Sequence, residues 1–112
     1  MSLSLQTLAE QNDAFRRGSH ALLGERVHTR GVEALGLEAV LHIWSFVRCF
    51  DGFTPDNDPY GEHDFGSFLH PFGGKIFWKI DYYDSDLTYG SEDPSDVEKT
   101  HRVLTIMLAS DY

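Results

Sequence analysis

Cysteine and long apolar stretches are nearly absent from this sequence. The only cysteine among its 112 residues is Cys49, so the chain cannot form an internal disulfide. Cys49 lies in an apolar run, which predicts a buried thiol and favours a reducing cytoplasm. No run of about 18 apolar residues occurs, which excludes a membrane-spanning helix. The first residues lack a basic segment followed by an apolar one, so no secretory signal is predicted.

Basic residues are scarce in the second half of the chain. Residues 51–98 contain twelve acidic residues and only two basic ones, Lys75 and Lys79. Residues 1–50 contain five of each, so the net charge of −9 belongs to one contiguous part of the sequence. Such a charge repels nucleic acid directly and attracts basic protein surfaces. Acidic loops that serve only solubility are the simpler alternative.

The hydrophobic pattern predicts a single α+β domain over residues 1–112, with an antiparallel sheet built on a β-hairpin and about three helices packed against it. Helices are predicted over about residues 3–17, with Ser4 as a cap, and over 37–50. Because the second run is rich in β-branched and aromatic residues, a strand is its alternative. Strands are predicted over 26–29, 63–69 and 75–83. A final helix is predicted to begin at Asp93 or Ser95 and to carry Val103, Leu104 and Met107.

Two acidic segments flank the predicted hairpin and contain most of the candidate binding residues. These candidates are Asp56, Asn57, Asp58, Glu62, His63, Asp64, Asp81, Tyr83 and Asp84. Polar groups at this density are poor material for a core, so they require water or a partner. In strand geometry Glu62 and Asp64 would share one face and His63 would lie on the other. No phosphate-binding loop with the required glycine spacing occurs, and no cofactor is predicted.

Several stretches carry a resemblance to a known family. They are residues 53–66 (FTPDNDPYGEHDFG), 78–84 (WKIDYYD), 91–94 (SEDP) and 102–109 (RVLTIMLA). Together they resemble a small bacterial family catalogued as domain of unknown function 3768, from about Asn12 to Tyr112. The resemblance implies no particular activity. Members of the family look like cargo of bacterial chromosomes and mobile elements, which favours a role in the contest between such elements and host defence.

Three interpretations follow. The first is an acidic module that docks onto the basic groove of a nucleic-acid-handling protein, as an inhibitor of a CRISPR or restriction complex would. The alternative is a small enzyme or metal-dependent protein centred on Glu62, His63, Asp64 and Asp81, where an imidazole among carboxylates could act as a base or hard oxygen ligands could hold a cation. The third is structural, with Asn57 and His63 buried and bonded to loop backbone. The oligomeric state stays open.

Overall fold

Four strands form one mixed sheet in the computed structural model of the protein, which describes residues 7–19 and 22–112. They are β1 (Gly24–His28), β2 (Phe65–His70), β3 (Gly74–Tyr83) and β4 (His101–Leu108), and their order in the sheet is β1-β4-β3-β2. Strand β1 is parallel to β4, whereas the other neighbours are antiparallel. The predicted α+β class and the β2–β3 hairpin are confirmed.

Within the described residues three α-helices accompany the sheet: α1 (Leu8–Arg16), α2 (Arg30–Glu33) and α3 (Leu37–Arg48). Helix α1 begins with a capping box, because Thr7 and Glu10 each accept a hydrogen bond from the other's backbone N–H. The predicted cap Ser4 lies outside the described residues. Gly18, with a φ of 102°, ends the α1 segment as predicted. No helix in the described ranges has the length and apolar character that crossing a bilayer requires.

The prediction of a final helix is wrong, because residues 101–108 form the central strand β4. The side chains of this strand alternate, with Arg102, Leu104 and Ile106 buried on the helix side of the sheet. Arg102, the first of these buried positions, is charged. A search for alternating apolar residues therefore does not recognise the strand. The segment before β4 forms turns instead of a helix, with Asp96 N–H bonded to Asp93 O and Lys99 N–H bonded to Asp96 O.

The core lies between the helices and one face of the sheet. Ile76, Trp78 and Ile80 of β3 face it, and Ile43 and Val47 of α3 pack against them as members of the same cluster. The prediction of a helix over residues 37–50 is confirmed, and the helix ends at Arg48.

The prediction that Cys49 is buried is wrong, since the cysteine follows the last residue of α3 and is exposed. Two residues correspond to roughly 200° around a helix, so Cys49 points away from the side on which Val47 enters the core.

The start of the hairpin also differs from the prediction. The strand was predicted to begin at His63, but β2 begins at Phe65. His63 has a φ of 56°, a left-handed conformation that interrupts an extended chain and is uncommon for residues other than glycine. The predicted opposition of His63 to Glu62 and Asp64 therefore does not apply.

Gly66 tests the packing of β2 against the core. A Cβ atom at this position would lie 2.7 Å from Trp78 Cε2 and 2.9 Å from Phe50 Cε1, and Trp78 is fully buried. We expect Gly66→Ala to lower the free energy of unfolding by about 1–3 kcal/mol. Gly90→Ala is the matched control, because its Cβ would lie 3.7 Å from the nearest atom, Tyr82 O. Urea denaturation measures both; equal midpoints for the two variants would contradict the packing.

Candidate functional site

The two acidic segments meet at one end of the sheet. Strand β2 begins at Phe65, β3 ends at Tyr83 and β4 begins at His101, and β3 is antiparallel to both of its neighbours. The first acidic loop (residues 51–64) and the second acidic loop (residues 84–98) therefore leave the sheet from the same end. The first contains five carboxylates and the second six, and neither contains a lysine or arginine. We call the two loops together the acidic end.

Helix α1 contacts both acidic loops through two neighbouring amides. The side-chain nitrogen of Gln11 donates to Ser95 O at 2.9 Å, in the second acidic loop. The side-chain nitrogen of Asn12 donates to Glu62 O at 2.9 Å, in the first. Both amides are fully buried, so these bonds are shielded from competing water. One turn of helix thus fixes the two loops relative to each other.

A buried arginine on β4 binds the oxygens of the same two amides. Arg102 Nε donates to Asn12 Oδ1 at 2.9 Å, and Nη2 donates to Gln11 Oε1 at 2.8 Å and to Pro94 O at 3.1 Å. Among the described residues no carboxylate pairs directly with this guanidinium. Burial lowers the pKa of Arg102, yet arginine stays protonated in proteins. The result is a buried cation that is stabilised by amide and carbonyl dipoles.

A tyrosine continues this network to the first acidic loop. Asn12 Nδ2 lies 2.7 Å from Tyr82 Oη, and the Tyr82 hydroxyl donates to Asp64 Oδ2 at 3.0 Å. Burial is the main cause that raises the pKa of both Tyr82 and Asp64 above their ordinary values. Tyr82 therefore remains a neutral donor, and Asp64 is a half-buried acceptor. We call Arg102, Gln11, Asn12, Tyr82 and Asp64 the buried polar network.

A second cluster holds His63 between two carboxylates. His63 Nδ1 lies 3.0 Å from Asp13 Oδ1, and Nε2 lies 3.6 Å from Asp58 Oδ2. Asp13 also accepts from Arg16 Nη2 at 2.7 Å, and Arg16 is almost fully buried. The imidazole stacks on the Phe53 ring with centroids 3.9 Å apart and planes 4° apart. These contacts join the first acidic loop to helix α1, in addition to the bond from Asn12.

Side chains within the first acidic loop fix its backbone. Thr54 N–H donates to Asn57 Oδ1 at 2.9 Å, and Asn57 Nδ2 donates to Gly52 O at 2.9 Å. Asp58 Oδ1 accepts from Glu62 N–H at 3.1 Å. The structural interpretation predicted such bonds for Asn57, but the residue is exposed rather than buried. A short Asx-type side chain can bond nearby backbone without leaving solvent.

Two of the predicted site residues lie away from the His63 cluster. The alternation of β3 places Asp81 and Tyr83 on the sheet face opposite Tyr82, and Asp81 pairs with Lys79 Nζ at 3.0 Å. The sheet therefore separates Asp81 from the side on which His63 and Asp64 contact α1 and Tyr82. They line a shallow cavity of about 460 Å³ together with Tyr112 and other residues of that face.

Asp56 and Asp84 take different roles in their loops. The Asp84 carboxylate accepts from Thr88 N–H at 3.0 Å and so fixes the turn that follows β3. Asp56 is exposed and forms no side-chain hydrogen bond within the described ranges.

Two cavities open onto the His63 cluster from solvent. Shallow cavities of about 450 Å³ and 310 Å³ both have Phe53 and His63 in their walls, so solvent and small solutes reach this pair. In residues 7–19 and 22–112, no group of three histidine, cysteine, aspartate or glutamate side chains converges in a way that could hold a metal ion.

Sequence patterns missed the residues that α1 and β4 contribute. Gln11, Asn12, Asp13 and Arg16 lie on or beside the buried face of α1, where a hydrophobic pattern expects apolar residues. The available signal was their spacing. Gln11 and Asn12 stand four residues before Phe15 and Arg16, so these four residues form one helical face on which three members are polar.

The buried polar network predicts a strong dependence on Asn12. We expect Asn12→Leu to lower the free energy of unfolding by about 3 kcal/mol, because it leaves the buried Arg102 Nε without its acceptor and removes the donor to both Tyr82 Oη and Glu62 O. Adding Arg102→Met should restore part of the loss, since the buried charge is removed together with its partner. A double-mutant cycle by urea denaturation measures the coupling. Strictly additive losses would show that the two residues do not act together.

The raised pKa of Asp64 predicts a pH effect on stability. A folded-state pKa above the ordinary value of 3.8 means that the folded chain holds this proton more tightly than the unfolded one. The associated stabilisation is complete below the ordinary pKa and is lost as pH rises through the folded-state value. Unfolding of wild type and Asp64→Asn between about pH 4 and pH 7 isolates the effect, because Asn cannot titrate. We expect wild type to gain stability relative to the variant as pH falls; a constant difference would contradict this.

Comparison with known proteins identifies the family without assigning an activity. The sequence profile of the family described as Protein of unknown function (DUF3768) matches residues 28–111. No curated protein and no solved structure matches the chain. The match covers α2, α3 and the strands from β2 to β4, including both acidic loops, whereas α1 precedes it. Since it spans most of the sequence, the chain belongs to the DUF3768 family.

Proposed function

We propose that this protein is a small acidic binding module whose acidic end docks onto a basic protein surface that otherwise binds nucleic acid. The observation that supports this most directly is the convergence of the two acidic loops at one end of the sheet. Eleven carboxylates are gathered there from separate parts of the sequence without an intervening lysine or arginine. Such a field speeds association with a basic partner and weakens as salt is added.

The carboxylates of the acidic end divide into two groups. Some, such as Asp58 and Asp84, accept hydrogen bonds from loop backbone and fix the loops. Others are exposed and form no side-chain hydrogen bond within the described residues; they are Asp51, Asp56, Asp86, Glu92 and Glu98. The second group is therefore free to bind a partner, while the first keeps it in place. Prior ordering of the loops reduces the entropy that binding must remove.

Exposed tyrosines among these acids favour arginine in the partner. Tyr60 is 84% exposed and Tyr89 is 74% exposed, and each belongs to one of the two acidic loops. A cavity of about 470 Å³ is lined by Tyr89, Glu92 and Glu98 along with Asp84 and Lys99. A guanidinium stacks on an aromatic ring and donates hydrogen bonds to carboxylates in its own plane, whereas an ammonium offers only a point charge. Arginine-rich grooves that bind phosphates carry this chemistry.

An inhibitor of a host defence complex, of the CRISPR or restriction type, is one form of this proposal. It would occupy the groove that DNA or RNA phosphates use, and its site of action would be the cytoplasm. The support for this form is the charge of the acidic end and the bacterial context that the family resemblance suggests.

A second candidate function is general acid–base catalysis at His63. The observation that favours it is the Asp13–His63 contact of 3.0 Å, because a carboxylate on Nδ1 orients an imidazole. This version of the enzyme hypothesis uses Asp13 in place of Asp81, which lies on the other face of the sheet. No nucleophile or substrate is identified by the geometry.

Charge reversal of the free carboxylates tests the first proposal. Asp56→Lys, Asp86→Lys and Glu92→Lys, combined in one protein, should abolish salt-sensitive capture of nucleic-acid-binding proteins from a bacterial lysate. The structure makes these positions preferable to Asp58 and Asp84, whose replacement would disturb the loops. Glu25→Lys with Glu38→Lys is the control, because both carboxylates are exposed, form no side-chain hydrogen bond in the described residues and lie on β1 and α3, outside the acidic loops. Added DNA or RNA should release the captured protein.

The outcomes separate the two candidate functions. Capture that survives the triple reversal, or that excess nucleic acid does not disturb, would contradict docking by the acidic end. His63→Asn removes the imidazole, and asparagine adopts the left-handed backbone conformation of this position more readily than most residues do. If biological activity disappears in this variant while capture is unchanged, the result supports catalysis at His63. It also shows that docking by the acidic end is not sufficient for the protein's function.

A further inference from the structure

Strand β2 forms one edge of the sheet and leaves half of its backbone groups unpaired within the described residues. Its pairing with β3 runs without interruption from Phe65↔Lys79 to His70↔Gly74. Ile80 N–H donates to Asp64 O, so residues with even numbers exchange hydrogen bonds with β3. By the same alternation, Phe65, Ser67 and Leu69 direct their N–H and C=O groups away from the sheet.

This edge has none of the features that usually prevent strand pairing. Strand β2 contains no lysine, arginine, aspartate, glutamate or proline, and its regular register leaves no room for a bulge. Leu69 is 80% exposed, and Phe72 in the adjoining turn is 76% exposed. The opposite edge strand β1 carries Glu25 and Arg26 among its five residues. The two edges therefore differ in their protection, and β2 is suited to accept a further strand.

We propose that β2 pairs antiparallel with β2 of a second copy of this chain, about a two-fold axis at Ser67. This inference is independent of the proposed function. Only a register centred on Ser67 pairs all three outward-facing residues with outward-facing residues, because Phe65 then lies opposite Leu69 of the second copy and Ser67 lies opposite Ser67. An antiparallel arrangement of identical strands is isologous and closes as a dimer.

Side chains are compatible at every position of this register. On one face the pairing places an aromatic ring, Phe65, beside the exposed aliphatic Leu69. On the other face Phe68 lies opposite Gly66, which Trp78 and Phe50 of its own chain cover, so this pair is apolar as well. At the ends of the register Asp64 lies opposite His70 of the second copy. Asp64 accepts from Tyr82 and His70 is almost fully buried in its own chain, so no like charges are opposed here. Self-complementarity of this kind is the requirement for a two-fold interface.

The charge of the protein also favours the antiparallel arrangement. The acidic end adjoins the first residue of β2, whereas the β2–β3 turn lies at the other end of the strand. Antiparallel pairing places the two acidic ends on opposite sides of the dimer, about 20 Å or more apart for a six-residue strand. This distance exceeds the screening length of roughly 8 Å at physiological salt, so repulsion between the ends is small. A parallel arrangement would place them side by side.

Cysteine cross-linking tests the register. Hydrogen-bonded partners in an antiparallel pair have Cα atoms about 5.5 Å apart, a separation that a disulfide spans. In a Cys49→Ser background, we expect Ser67→Cys to form a covalent dimer under mild oxidation. Ser110→Cys is the control, because Ser110 is exposed in the 3₁₀ turn after β4 and should cross-link much more slowly. Equal rates for the two variants would overturn the proposed register.

Sedimentation equilibrium tests the dimer itself. Wild type should shift from monomer to dimer as its concentration rises from about 5 μM to about 500 μM. Leu69→Lys places a charge at the edge and should weaken association at least tenfold, or about 1.4 kcal/mol. Leu23→Lys is the matched control beside the opposite edge, where Leu23 is 59% exposed, and it should associate as wild type does. Circular dichroism verifies folding of each variant.

A wild-type protein that stays monomeric throughout this range overturns the proposal. The same conclusion follows if Leu69→Lys and Leu23→Lys associate equally, because the dimer would then use another surface.

Discussion

Burial of the Arg102 guanidinium against two amides of α1 is the interaction on which the acidic end depends. Each amide has an oxygen that accepts from Arg102 and a nitrogen that donates to the backbone of one acidic loop. Each amide is thereby bonded through both its oxygen and its nitrogen, and neither can rotate without breaking bonds on both sides. Removing the cation would leave both oxygens without this donor, and removing either amide would take one of three acceptors from a buried charge. The two acidic loops are thus held relative to each other by bonds to α1.

The acidic end shows how one residue type serves two opposed purposes. Carboxylates that face backbone N–H groups close the loops upon themselves, while their neighbours a few positions away face only water. Phe53 stacks on His63, and His63 pairs with Asp13 of α1. These contacts hold the first acidic loop against the helix. A surface of this kind keeps its pattern of charge before any partner arrives. That property distinguishes it from an acidic tail, which would have to be ordered during binding.

Sequence patterns predicted the parts of the fold in which polarity and periodicity agree. The alternation over residues 75–83 and the helical spacing over 37–50 gave β3 and α3 because their inward positions are apolar. The same reasoning failed for β4, where Arg102 occupies an inward position, and for His63, whose left-handed backbone no periodicity encodes. Among the candidate site residues, those of the two loops were recognised by composition. Asn12, Asp13 and Arg102 were missed because their importance arises only when distant segments meet.

The parallel pairing of β1 with β4 has a consequence for how the protein reaches its native state. Gly24 pairs with Arg102, so contacts of the sheet and of the acidic end join residues from nearly opposite ends of the described chain. Topologies with such a high contact order fold slowly, since a long loop must close before these contacts form. During synthesis the hairpin and α3 emerge well before β4. The bonds by which Arg102 joins α1 to the second acidic loop consequently cannot form until β4 has docked, so the two loops are fixed relative to each other late in folding.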